Sequence, residues 1–127
     1  MDEGMDFDLL AASLRSDSSD ERTFLEVLGN KLQDALPGAT VVEREGGLLH
    51  REHRVARLVV TLGTVAFELR RRGDHLEAER KKIVRGIALK SEPIPLGEWI
   101  EELSAALVEH AKGSAEARAA LERFLVQ

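Results

Sequence analysis

Hydrophobic residues change their spacing twice along this chain, and this change constrains the fold more than any other feature. From Phe24 to Leu36 they recur every three or four positions, as on the buried stripe of a helix. From Val55 to Leu69 they alternate with polar residues, as in half-buried strands. From Trp99 onward the helical spacing returns. The order of these patterns predicts an α+β protein in which helices flank a run of strands.

Turn residues divide the middle of the chain into short strands. The pairs Pro37-Gly38 and Gly63-Thr64 and the triplet Arg72-Gly73-Asp74 are typical of a helix end and two tight turns. The predicted strands cover residues 39–45, 55–62, 65–71, 75–80 and 83–90, the last with Gly86 inside it at a bulge or close crossing. Tight turns between short strands predict an antiparallel meander of about five strands, with the N- and C-terminal helices packed mainly on one face.

Four helices complete the prediction. The first covers Asp6–Ser16, and a capping box of Ser18 and Glu21 is expected to start the second. Pro95 or Leu96 is expected to begin the third, since proline is tolerated in a first turn. A fourth covers residues 115–126. Residues 1–127 are long enough to bury one core, so we predict a single domain with residues 1–5 as a disordered tail.

Composition narrows the location and the chemistry. The chain has no cysteine, which excludes disulfides, thiolate metal ligands and thiol nucleophiles. Its start is acidic, and no apolar run approaches the roughly 20 residues of a membrane span. We therefore predict a cytoplasmic protein. Its arginine-rich, alanine-rich and leucine-rich usage suggests a bacterial genome of high GC content.

No catalytic or cofactor motif stands out. The sequence contains no G-x-S-x-G, G-x-G-x-x-G or P-loop pattern. His50 and His53 lie three residues apart, but no third metal ligand is evident. The alternating residues His75, Glu77 and Glu79 form the one candidate catalytic group, although a solvated strand face explains them more simply. We expect no enzyme activity, no cofactor and no metal.

The middle of the chain is basic, whereas both ends are acidic. Two short runs of cations could meet the phosphates of nucleic acid or of an acidic lipid surface. Aromatic side chains for stacking bases are missing, because Phe67 is predicted on the apolar side of its strand and the chain has no tyrosine. A sheet face whose charges pair with one another is the simpler alternative. The candidate anion-binding residues are Arg70, Arg71, Arg72, Arg80, Lys81 and Lys82.

Association is indicated by the strand at residues 55–62, which is apolar on both faces. Val55, Val59 and Thr61 alternate with Leu58 and Leu62, and a strand of this kind is usually covered on both sides. A second copy of the chain could be that cover, and the spare apolar surface of the last helix could serve equally, so we predict a homodimer. Trp99 is expected to pack against the sheet beside the Pro93-Ile94-Pro95 turn; if exposed, it would be a binding anchor. The candidate interface residues are Val55, Val59, Thr61 and Trp99.

Four stretches carry a resemblance: residues 84–90 (VRGIALK), 95–100 (PLGEWI), 117–125 (ARAALERFL) and 18–28 (SSDERTFLEVL). They resemble small conserved proteins of high-GC Gram-positive bacteria without assigned function. More loosely, the arrangement of helices around a curved sheet, with a small acidic chain, is similar to the class I chaperones of type III secretion. The resemblance implies no catalytic residues, and fold alone does not determine function.

These observations favour a non-catalytic, cytoplasmic, protein-binding protein of the adaptor or chaperone kind, acting as a dimer and gripping another protein. The alternative is an anion-binding module that uses the basic sheet region. An enzyme built on His75, Glu77 and Glu79 is the third hypothesis.

Overall fold

The computed structural model describes residues 3–46 and 54–126. Two helices come first, α1 (Glu3–Ser18) and α2 (Glu21–Ala35). Five strands follow: β1 (Thr40–Arg44), β2 (Val55–Leu62), β3 (Val65–Arg72), β4 (His75–Val84) and β5 (Ile87–Pro93). Two further helices end the chain, α3 (Leu96–Ala111) and α4 (Ala115–Val126).

The strands form one sheet in the order β1-β2-β3-β4-β5, and every neighbouring pair is antiparallel. Each strand therefore pairs with the one before it in the chain, which is a meander. The predicted α+β class, the five-stranded antiparallel meander and the flanking helices are confirmed. No helix in residues 3–46 or 54–126 is long and apolar enough to cross a membrane.

One face of the sheet carries the helices. We call it the helix side; it bears Val60, Phe67 and Leu69, all buried. α2 and α3 lie against the strands, while α1 packs on α3 and α4 packs on both α2 and α3. Leucines of the helices meet leucines of the strands in one continuous core. The opposite side, which we call the open face, bears Val41, Val59, Glu68 and Glu79 across the four strands β1 to β4.

The start of α2 differs from the prediction. Asp20 is the N-cap, and its carboxylate accepts a hydrogen bond of 3.1 Å from the backbone N–H of Arg22. Ser18 instead closes the last turn of α1, where its hydroxyl donates to the carbonyl of Arg15 over 2.8 Å. The predicted capping box of Ser18 and Glu21 is therefore wrong. α1 also begins at Glu3, so part of the segment predicted as a tail is helical.

The last two strands also differ from their predicted bounds. Arg85 and Gly86 both have positive φ, 54° and 78°, as a type I′ hairpin turn requires. Gly86 therefore lies in the turn between β4 and β5, and the prediction that it lies inside a strand is wrong. The sequence hid this turn because arginine rarely adopts positive φ.

The segment from β5 to α3 follows its local chemistry. Pro93 ends β5, and Pro95 directly precedes the first helical residue, Leu96, as expected. Trp99 is 0% exposed and meets Phe67 edge to face, with ring centroids 6.2 Å apart. The predicted packing of Trp99 against the sheet is confirmed, so Trp99 is not an exposed binding anchor.

Candidate binding surfaces

The open face is organised around one buried carboxylate. The side chain of Glu68 is 2% exposed, although the face is not covered by a helix layer. Its oxygens accept from Arg57 at 3.0 Å, Arg70 at 3.1 Å and Lys81 at 3.2 Å. These contacts occur because the pairing of β2, β3 and β4 places all four side chains on the same side of the sheet. We call these four residues the Glu68 cluster.

The electrostatics of the Glu68 cluster keep the carboxylate charged. Burial alone would raise the pKa of Glu68, but hydrogen bonds from Lys81 and Arg57, together with their charges, hold that pKa below its ordinary value. A carboxylate ionised at neutral pH and surrounded by three cationic donors is a poor general base. The cluster is therefore suited to holding three strands together rather than to moving protons.

The predicted anion-binding residues do not share a surface. Side chains alternate along a strand, so Arg70 and Lys81 reach Glu68 on the open face, whereas Arg80 points to the helix side. Arg72 pairs with Glu77 at 3.3 Å.

Arg71 and Arg80 are used within the fold. Arg71 donates to the backbone carbonyls of Val55 at 3.3 Å and of Arg22 at 3.4 Å. Arg80 bonds Glu92 at 2.8 Å and also Glu102 of α3, and hydrogen bonds to these carboxylates raise its pKa further. Within the described part of the chain, Lys82 is the one predicted anion-binding residue without such a partner.

The candidate interface residues are likewise separated. At Ala56 the sheet contains a β-bulge, because Glu43 pairs with Arg57 while the next residue, Arg44, pairs with Val55. The bulge turns Val55 to the helix side, where it is 0% exposed and lies next to Gly29. The prediction that Val55 shares a face with Val59 is therefore wrong. Val59 and Thr61 do lie on the open face, half-buried and exposed respectively.

The candidate catalytic residues form no reaction centre. His75, Glu77 and Glu79 follow one another along one side of β4, but Glu79 accepts from the Ser91 hydroxyl at 2.9 Å and Glu77 pairs with Arg72. His75 is exposed. Among the residues that the structure describes, no group of three histidines or carboxylates could hold a metal ion. His50 and His53 lie outside the described residues.

Sequence reasoning missed a surface on the last two strands, which we call the β4–β5 hairpin (residues 82–91). It carries Val84, Ile87 and Leu89, which are 42%, 65% and 50% exposed. Val84 and Ile87 are direct partners across the two strands, so their side chains lie together. Lys82, Arg85 and Lys90 are exposed beside them and have no ionic partner in the described part of the chain. The apolar residues of this segment were the available signal, but the prediction of a single strand over residues 83–90 does not reveal a hairpin.

The hairpin lies at an edge of the sheet. β5 is the last strand and contacts mainly β4, whereas the other edge strand, β1, is also contacted by α2. An edge strand presents backbone N–H and C=O groups that no neighbouring strand uses. The hairpin therefore combines exposed aliphatic side chains, cations without an ionic partner among the described residues, and a strand edge that no described strand covers.

A pocket of about 530 Å³ lies at the base of the hairpin. β4 and β5 supply most of its wall, and Val65 of β3 and Glu102 of α3 complete it.

Comparisons with protein-family models, with curated proteins and with solved structures found no match for this chain.

Proposed function

We propose that this chain is a non-catalytic, cytoplasmic, protein-binding protein of the adaptor or chaperone kind, and that the β4–β5 hairpin is its binding surface. The observation that supports the proposal is the grouping of Val84, Ile87 and Leu89 on one exposed hairpin. Single exposed aliphatic residues are ordinary on a protein surface, whereas a group of them commonly indicates an interaction site.

The chemistry of the hairpin selects the kind of partner. The free edge of β5 can pair with an extended peptide, and Ile87 and Leu89 can contact aliphatic side chains of that peptide. Arg85, at the tip of the hairpin, favours carboxylates in the partner. The partner that fits is therefore a segment of another protein that carries aliphatic residues flanked by acidic ones.

Two features restrict pairing at this edge. A β-bulge interrupts the ladder, because Lys81 pairs with Ser91 whereas Ile83 pairs with Ala88. Pro93 ends the strand without a backbone N–H. Bulges, prolines and edge lysines discourage unspecific strand pairing, so a short and matched segment is the expected partner.

The predicted homodimer is a separate proposal with its own test. Two copies paired through β5 would bring their own cations together, which opposes self-association at this edge. Light scattering at low and moderate salt measures the solution mass. A value near 14.1 kDa would contradict the homodimer, and twice that mass would support it.

Selection from a random peptide library displayed on phage tests the proposed function. The immobilised full-length protein should enrich peptides that carry aliphatic residues flanked by acidic ones. An Ile87→Asp, Leu89→Asp double variant should lose this enrichment, because it places carboxylates where the partner's apolar side chains would lie.

A matched control changes an exposed valine at the opposite edge. Val41→Asp alters β1, where Val41 is 55% exposed, and should leave the selection unchanged. Peptides that bind the hairpin variant as well as the unaltered protein would contradict the proposal, as would the absence of any enrichment.

A further inference from the structure

Two lysines at the base of the β4–β5 hairpin lie across the strand pair from each other. The bulge places Lys82 of β4 opposite two residues of β5, Leu89 and Lys90. Both lysines are exposed, and neither has an ionic partner among the described residues. Like charges at such positions repel, and bulges commonly redirect a side chain toward a site. The arrangement leaves the ammonium groups of two lysines at facing strand positions available for an anion.

The same two lysines line the pocket of about 530 Å³. Its other walls include Val65, Arg80, Glu92 and Glu102. The volume is in the range of sites for small organic ligands, roughly 300–1,000 Å³. The pocket therefore combines an apolar residue, a fixed ion-pair network and two free cations.

The acidic residues of the pocket do not pair with Lys82 or Lys90. Glu92 and Glu102 both bond Arg80, which leaves one net negative charge in this group of three but no carboxylate bonded to either lysine. Lys81 and Ser91 also line the pocket, but their side chains bond Glu68 and Glu79 on the open face. Of the lining cations, Lys82 and Lys90 are the two that a ligand would meet without breaking an existing ion pair in the described structure.

We propose that this pocket binds a phosphoryl group, held between the ammonium groups of Lys82 and Lys90. A phosphate monoester carries close to two negative charges at neutral pH, which matches two lysines, whereas a carboxylate would leave one lysine unneutralised. Binding would also relieve the repulsion between the two lysines. The apolar part of the ligand would contact Val65. This inference concerns the base of the hairpin and does not depend on peptide binding at its exposed edge.

Nuclear magnetic resonance titration of the full-length protein with inorganic phosphate tests the proposal. Backbone amide shifts should be largest at residues 80–82 and 89–92. Lys82→Gln and Lys90→Gln should each weaken phosphate binding at least about 10-fold, as expected for loss of a charge-assisted hydrogen bond of about 1.5–3 kcal/mol. Arg118→Gln, which removes an exposed cation from α4, should leave the affinity unchanged.

Three further probes distinguish the source of the phosphoryl group. Glycerol 3-phosphate represents a small metabolite, vesicles of phosphatidic acid in phosphatidylcholine represent a lipid surface, and an oligothymidylate with a 5′-terminal phosphate represents a nucleic acid end. The source is assigned to the probe that binds most tightly and loses affinity in both lysine variants. Binding by any of them through these lysines supports the proposal.

Thermal unfolding gives a second readout that separates binding from folding. Phosphate should raise the midpoint of unfolding of the unaltered protein but not that of Lys82→Gln, since a ligand stabilises only the state that binds it. Without phosphate, Lys82→Gln should unfold at the same temperature or higher because the like-charge contact is gone. Shifts spread over all surface cations, or affinity retained in both lysine variants, would overturn the proposal. Ile87→Asp alone, which lies opposite Val84 rather than Lys82, should retain phosphate binding, so the two proposals can fail separately.

Discussion

The indole N–H of Trp99 donates a hydrogen bond of 3.2 Å to the backbone carbonyl of Glu79. This bond joins the first turn of α3 to β4, and the ring fills the space against Phe67. We expect Trp99→Ala to lower the free energy of unfolding by about 3–5 kcal/mol, as for other buried aromatic residues. Urea unfolding followed by circular dichroism measures this change.

Trp99→Phe serves as the control for the hydrogen bond. It retains most of the apolar contact but leaves the carbonyl of Glu79 without the indole donor, so we expect an intermediate loss of about 1–3 kcal/mol. If Trp99→Ala costs less than about 1 kcal/mol, the proposed packing of α3 on the sheet is incorrect.

Acid should weaken the sheet through the Glu68 cluster. The pKa of Glu68 is lowered from its ordinary value of 4.5, so the folded state favours the ionised carboxylate more than the unfolded state does. The resulting stabilisation is fully present above about pH 4.5 and is lost as the pH falls through the lower folded pKa. Urea midpoints measured from pH 7 down to pH 3 should therefore decrease most steeply below about pH 4.5.

Glu68→Gln distinguishes the contribution of Glu68 to the pH dependence of stability from that of the other carboxylates. At pH 7 the variant should lose about 2 kcal/mol, since charge-assisted hydrogen bonds from Arg57 and Lys81 are weakened. Its stability should then decline less on acidification. Some decline should remain, because the pKa of Glu26 is also lowered, through bonds from the Val55 N–H and from Arg44. Parallel pH profiles for the two proteins would contradict the assignment.

The fold was largely predictable because its helices and strands have clear hydrophobic periods. Two predictions within the sheet were wrong, the face on which Val55 lies and the placement of Gly86 inside a strand. Both have local causes that the spacing of hydrophobic residues does not reveal. A bulge at Ala56 shifts the alternation by one residue and moves Val55 to the core. A positive φ at Arg85 makes a turn where glycine or asparagine would normally signal one.

The binding surface was less predictable because it depends on which charges find partners. Arg70 and Arg71 are adjacent in sequence but lie on opposite faces, a separation that strand alternation alone could have indicated. That Glu92 and Glu102 both bond Arg80 and leave Lys82 free depends on how α3 lies across the sheet. The amino-acid sequence alone does not give the position of α3 relative to the sheet, so it could not predict which cations remain without a partner.

Arg85, in the turn between β4 and β5, can be replaced by a residue that is better suited to positive φ. Arg85 has φ of 54°, and left-handed backbone costs an ordinary residue roughly 1–2 kcal/mol. Asparagine adopts this conformation more readily, so we expect Arg85→Asn to stabilise the fold by about 0.5–1 kcal/mol. Thermal unfolding of both proteins measures the effect.

The turn between β2 and β3 provides the opposite control. Gly63 has φ of 61° and open space around it, so Gly63→Ala should destabilise the fold by about 1 kcal/mol through backbone strain alone. If Arg85→Asn also destabilises the fold, then the Arg85 side chain makes a stabilising contact in solution that outweighs its backbone cost.

Gly29 in the middle of α2 offers a stabilising substitution inside the core. Glycine costs a helix about 1 kcal/mol relative to alanine, and no positive φ requires it here. A methyl group added at Gly29 would lie 3.6 Å from the nearest Val55 methyl and 3.7 Å from that of Val42, which is ordinary van der Waals contact. Gly29→Ala should therefore raise the free energy of unfolding by about 0.5–1 kcal/mol.

Two companion variants make the result at Gly29 interpretable. Gly38→Ala, beyond the end of α2 and with nothing within 4 Å, should change stability little. Gly29→Leu should destabilise by about 1–3 kcal/mol because the larger side chain cannot fit between α2 and the valines of β1 and β2. Urea unfolding of all three proteins measures these differences. A loss of stability in Gly29→Ala would mean that α2 lies closer to the sheet than the 3.6 Å contact indicates. In that case the role of Gly29 is to let the helix and the strands approach closely.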